Sequence, residues 1–181
     1  MLRFVKTLSL LTFTFCITLA AQTKKSGPVI TDFGEVYEIS NPDYKIDDKV
    51  ELKAVFDIMK SPEGHNQINA TIETAARFLN MHAQSGVPID QLKVALVVHN
   101  KASKDIITNE AYQKRYGTNN PNYDLVQSLL DAGGQIIFCG QSSLSRGFPK
   151  EELIDGVQFS LSAMTALIQL QNEEYRLIKF K

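Results

Sequence analysis

The chain has 181 residues, 44% of them hydrophobic and 22% charged, an ordinary profile for a globular protein able to bury a core without disulfide staples. With 19 basic against 20 acidic residues, it is neither a strongly basic nucleic-acid binder nor an acidic disordered tail. Two cysteines exclude a disulfide framework or a cysteine-rich zinc module, and without tryptophan any aromatic platform rests on Tyr or Phe.

The chain opens as an export address. Arg3 and Lys6 form a short positive region, Leu8 to Leu19 are mostly apolar with interspersed hydroxyls, and Ala20 and Ala21 are small residues suited to cleavage. The uncharged stretch from Thr7 to Thr23 falls short of the roughly 20 mostly apolar residues of a membrane span. A signal peptide over residues 1–21 is expected, with an uncleaved anchor as the alternative and a periplasmic or secreted location. Thr14 and Phe15 precede Cys16, which is no lipoprotein pattern. Cleavage leaves Cys139 as the only thiol, so it is buried and inert, paired between chains, or reactive.

Residues 22–48 are polar and turn-rich and read as an N-terminal arm, with a short edge strand at Val36 to Ile39. The domain proper is expected over residues 49–181. Val50, Leu52, Ala54 and Phe56 alternate with Glu51, Lys53 and Val55, the period of a half-buried strand. A long helix opening at Gly64 to Asn66 carries Ile68, Ile72, Ala75, Ala76, Leu79 and Ala83 on one face, and Gly86 and Pro88 stop it. Leu92 to Val98 is a buried strand broken only by Lys93. Thr108 to Tyr116 is an amphipathic helix, and Pro121 takes the first position of another, striped by Tyr123, Val126, Leu129 and Leu130. Gln135 to Cys139 is the next strand. A short helix starts near Pro149 with Glu151 and Glu152 in its first turn, at the positive end of its dipole. A short strand at Val157 to Phe159, a helix at Ala163 to Leu170 and a last strand at Tyr175 to Phe180 follow.

Strands alternating with helices predict an α/β fold: three layers, α/β/α, with a mainly parallel sheet covered on both faces. In such sheets, ligands bind beyond the carboxyl ends of strands, where strand order switches. Two strands end in reactive residues. One runs into His99 and Asn100, the other into Cys139 and Gly140. On neighbouring strands these residues lie about 4.8 Å apart, and an imidazole beside a thiol favours the nucleophilic thiolate. Gly140 permits close backbone approach. Gln141, Ser142 and Ser143 lead into a helical turn whose free N–H groups would stabilise an anion, and Arg146 would add a full charge if the loop folds back. Cys139 and His99 are therefore the candidate catalytic pair, and Asn100, Gly140, Gln141, Ser142 and Arg146 the candidate ligand-binding residues.

A plainer assignment uses the same residues. Free cysteine is among the most buried residue types, and His99 can be a hydrogen-bonded structural residue. His65 and His82 are too far apart in sequence to form a metal motif. No metal or cofactor is expected; missing glycine motifs leave a nucleotide phosphate cradle unsupported, missing C-x-x-C excludes a dithiol cycle within one chain, and no G-x-S-x-G elbow is present. A hydrolase or reductase built on the His–Cys pair would need an orienting carboxylate, for which Asp105 is nearest in sequence.

The stretch from Cys139 to Gly147, with Leu144, Arg146 and Gly147 in place, resembles the DsrE/DsrF-like proteins, which include sulfur-relay subunits. The Val97-Val98-His99 strand end and the Asp155-Gly156-Val157 turn before a Ser/Ala-rich helix look like exported members of that family. The resemblance is clearest from Leu92 to Phe180. It implies about five parallel strands, a homo-oligomer (trimer or hexamer), and a role for Cys139 as a persulfide carrier that exchanges sulfur with a donor or acceptor, protein or small molecule. Two departures stand out. Cytoplasmic relay subunits often feed tRNA thiolation, a partner an exported chain cannot meet, and Asn100 stands where exported relatives often carry Gly. The function expected is thus exported sulfur handling on a single cysteine. The alternative is a non-enzymatic, oligomeric small-ligand-binding module with a structural cysteine, and neither involves nucleic acid or a stable membrane span.

Overall fold

The computed structural model describes residues 23–47 and 49–179, so the signal peptide expected at residues 1–21 lies outside the described residues. Five strands, β1 (Leu52–Ile58), β2 (Leu92–Val98), β3 (Gln135–Cys139), β4 (Gln158–Ser160) and β5 (Arg176–Ile178), form one all-parallel sheet in the order β4-β3-β2-β1-β5. Five helices connect them: α1 (Ala70–Gln84), α2 (Asn109–Tyr116), α3 (Tyr123–Asp131), α4 (Gly140–Arg146) and α5 (Ala163–Asn172). No helix among the described residues is long and apolar enough to cross a membrane.

The strands divide their side chains between two apolar clusters. Leu92, Val94, Leu96 and Val98 of β2 join Ile136 and Phe138 of β3 in the larger cluster, which α1, α2 and α3 cover. Ala95 and Val97, with Ile137 and Cys139, face the other way into a smaller cluster closed by Ala163, Ala166 and Leu170 of α5. The apolar stripe of α3 explains its place. Leu125, Val126 and Leu129 are fully buried, each stabilising the fold by about 1.5–3 kcal/mol.

The two-sided covering corrects the expectation for β1. It is not half-buried. It lies between β2 and β5, Val55 is as buried as Phe56, and the strand starts two residues late, leaving Val50 exposed. Helix α1 starts at Ala70 rather than at Gly64 to Asn66. The Asn69 side chain accepts from Thr71 N–H there, giving the first turn a cap. Pro121 lies in the turn before α3, which Asn122 precedes. The segment after Pro149 is a 3-10 turn over Lys150–Glu152, and α4 instead follows Cys139 directly.

The edge strand expected at Val36 to Ile39 reduces to a single antiparallel bridge between Lys25 and Val36. The arm is held by packing on α1 instead. Buried Asn80 accepts from the N–H groups of Val29 and Ile30 and donates to the carbonyls of Ile30, Phe33 and Gly34. Gly34 has a positive φ of 70°, and a Cβ there would stand 2.6 Å from the Ala76 backbone, so only glycine allows this approach.

Candidate functional site

Cys139 is the last residue of β3 and the residue before α4, so a hydrogen-bonded ladder holds it on one side and a helical turn on the other. Its residue exposure is 4%. Burial pushes the thiol up. The backbone N–H and hydroxyl of Ser142, then the N–H groups of Ala163 and Gln141, act in the opposite sense, and the net shift is downward from the ordinary 9.0. The Ser142 hydroxyl accepts from Asn100 N–H at 3.0 Å, which leaves its own hydrogen for the sulfur.

Asn100 has the left-handed backbone that favours glycine, with φ of 55°. That explains how Asn can stand where Gly was expected. Its side-chain oxygen accepts from the Arg146 guanidinium, so Asn100 ties the end of β2 to both ends of α4. Arg146 is exposed and engaged there. It is not among the groups that lower the thiol, a task that falls to amides and a hydroxyl. Gly140 is where a Cβ would meet Ser160 O at 2.7 Å and Phe159 Cε1 at 3.1 Å. Its missing side chain lets the β4–α5 connection close over the sulfur and bring in Ala163 N–H. The Gln141 side chain donates to Leu161 O on the same connection.

His99 lies on the same face. Val98 is the register partner of Phe138, and His99 extends β2 by one residue in extended conformation, bonding Ile58 O at 2.9 Å, so it comes level with Cys139. Its Nε2 lies 2.7 Å from Asp57 Oδ1 on β1. The described structure thus places Asp57, His99 and Cys139 on three adjacent strands of one sheet face. Asp105, the nearest carboxylate in sequence, is elsewhere. It is buried among Ser61, Asn69 and Asn122, next to the α1 side of the sheet, and bonds none of these three residues. His65 stacks on Tyr116 and His82 bonds Phe78 O, so both are engaged locally. The site lies at the carboxyl edge as expected, but not at the switch in strand order. The order turns at β1 and β5, whereas Cys139 ends β3.

Two contributors escaped the sequence analysis. Asp57 had a detectable signature, a carboxylate between Phe56 and Ile58 in an apolar strand, where burial demands a partner. Ala163 contributes only a backbone N–H, which its side chain does not announce. Beside the site, a groove of about 400 Å³ runs between β3, β4 and α5, lined by Ile137, Phe159, Leu161, Thr165, Ala166 and Leu170 among others.

A parallel five-stranded α/β/α domain with a donor-ringed thiol at a strand end defines the class. The model of the DsrE/DsrF-like family matches residues 53–180, and the chain belongs to that family. A solved structure of a protein of unknown function from Methanobacterium thermoautotrophicum is similar in fold, with a TM-score of 0.53 and 14% sequence identity, over 70% of this chain and 97% of that one. No curated protein matches the sequence.

Proposed function

We propose that this is an exported sulfur-handling protein that carries sulfur on Cys139 as a persulfide. The observation behind this reading is the convergence of Ser142, Ala163 and Gln141 donors on a thiol that burial alone would keep protonated. In the loading step, the Cys139 thiolate attacks the outer sulfur of a donor persulfide, R–S–SH. The new bond joins Sγ to that sulfur, the donor's S–S bond breaks, and its electron pair leaves on R–S⁻, which takes up the thiol's proton. The products are Cys139–S–SH and R–SH, with no outside oxidant or reductant. The donors that hold the thiolate suit the persulfide anion for the same reason.

Assembly with further copies of the chain belongs to the same proposal. Leu161 just before α5, and Met164 and Ile168 on it, are 73%, 72% and 59% exposed, and no charged residue occurs from Val157 to Asn172. An uncharged apolar face of this kind suits contact with a second copy beside each thiol.

The test is mass spectrometry of the processed protein after incubation with a persulfide donor. One added sulfur atom, lost in Cys139→Ser, is the expected result. An unmodified thiol that also resists alkylation in the folded chain overturns the reading. The groove beside α5 favours a second reading, a ligand-binding module in which Cys139 only packs. In that case Cys139→Ala retains ligand binding and assembly unchanged.

A further inference from the structure

We infer that Asp57 is a positioning residue that holds His99 as the proton relay of Cys139, so that the thiol works with a carboxylate–imidazole pair rather than alone. The inference rests on the reading of Cys139 as a nucleophile and adds the groups that move its proton. It follows from placement. Asp57 of β1 is the register partner of Val97 on β2, and Val97 pairs with Ile137 on β3. Two residues beyond Val97 and Ile137 stand His99 and Cys139, so the imidazole occupies the strand between the carboxylate and the thiol.

The 2.7 Å contact fixes the chemistry of the ring. A carboxylate oxygen accepts, so this contact suits a ring that donates from Nε2, and in the neutral form of such a ring the lone pair is on Nδ1. Both side chains are largely sheltered, at 22% and 16% exposure, and a carboxylate in an inner strand of a sheet is retained there only with a partner. The ring is thereby held in one tautomer and one orientation, as a general base or acid requires.

The relay changes the loading step as follows. Nδ1 takes the proton from Cys139 Sγ, giving an imidazolium paired with Asp57. The thiolate attacks the outer sulfur of an S–S bond in the donor. As the inner sulfur leaves with the bonding pair, the imidazolium returns the proton to it, so the leaving group departs as a thiol. Nothing is oxidised or reduced overall. This help matters for an alkyl thiolate, a poor leaving group, and hardly at all for an aromatic one, which leaves readily as the anion. The inference therefore assigns the site to alkyl-sulfur donors.

The experiment compares two uncharged disulfides at neutral pH on the full-length folded protein: dithiodipyridine, with an aromatic leaving group, and bis-hydroxyethyl disulfide, with an alkyl one. Asp57→Asn and His99→Gln are expected to slow both reactions, because both need the thiolate, and to slow the alkyl one at least about tenfold more than the aromatic one, within the range of general acid–base catalysis. Asp57→Glu should recover part of the alkyl rate. Should Asp57→Asn fail to fold, His99→Gln and Asp57→Glu carry the comparison. Equal slowing with both reagents, or no slowing, overturns the relay while leaving Cys139 reactive. A wild-type thiol inert to both overturns the nucleophile reading itself, and the relay with it.

Discussion

Asn69 Nδ2 donates to Asp105 Oδ2 across 2.7 Å, and both side chains are buried. Ser61 and Asn122 donate to the other carboxylate oxygen at 2.9 and 3.3 Å, so this carboxylate joins the β1–α1 loop to the start of α3. Burial pushes its carboxyl up from the ordinary 3.8, against the pull of Asn69, Lys104 and Ser61. A raised folded value means that the linked stability is fully present below 3.8 and is lost as pH rises through the folded value. Urea titrations should therefore show the stability of wild type relative to Asp105→Asn falling as pH rises from about 3.5 toward neutrality. At neutral pH, Asp105→Ala, which strands several buried donors, should cost about 3 kcal/mol.

The thiol itself titrates in a predictable direction. The pH dependence of Cys139 alkylation by iodoacetamide should have its midpoint below 9.0. Ser142→Ala removes the hydroxyl donor and should move the midpoint up by about one pH unit, the size of one hydrogen bond to a charged group. An unchanged midpoint would show that the hydroxyl contributes nothing to the anion.

Gly140→Ala tests the close approach that closes the site. The added methyl meets Ser160 O at 2.7 Å, which is backbone and cannot rotate away. A loss of about 1–3 kcal/mol in urea is expected. The alkylation midpoint should also rise, because displacing the β4–α5 connection withdraws Ala163 N–H from the sulfur.

The outer face of α5 gives a fourth prediction. Met164→Asp together with Ile168→Asp places charge on an exposed uncharged surface and should leave the monomer fold intact. In sedimentation velocity the wild type should run as an oligomer and the double variant as a smaller species. A monomeric wild type at micromolar concentration would remove the assembly proposal.

The arm gives a fifth. Asn80→Leu deletes the five side-chain bonds by which Asn80 fixes Val29 to Gly34 on α1, leaving there the bond from Gly34 N–H to Glu73. Limited proteolysis should then cut between residues 24 and 36 well before the core, and the product should keep the sheet.

The sequence disclosed most of this architecture because β2 and β3 are short continuous apolar runs and α3 carries one clean helical stripe. β1 misled because Leu52, Ala54 and Phe56 alternate with charged neighbours, yet Val55 and Asp57 on the other side are covered too. Ile68 continues the helical spacing backwards past the true start of α1, although its side chain is exposed and Asn69 caps the helix after it. At the site, Cys139 and His99 were legible as reactive residues at strand ends. Their partners were less so. Asp57 is distant in sequence from His99 and meets it only through the β1–β2 register. The carboxylate nearest in sequence, Asp105, points into a separate polar hub, since a 3-10 segment carries the chain away from the strand end.

The anchoring of Cys139 between a strand and a helix has a mechanical consequence. Its sulfur has no tether to swing on, unlike cargo on a flexible arm, so in the proposed exchange a delivering or receiving molecule would bring its own reactive atom down to a stationary berth. On the proposed carrier reading, a partner in exchange is therefore slender enough to enter, or is shaped to fit the surface around the sulfur.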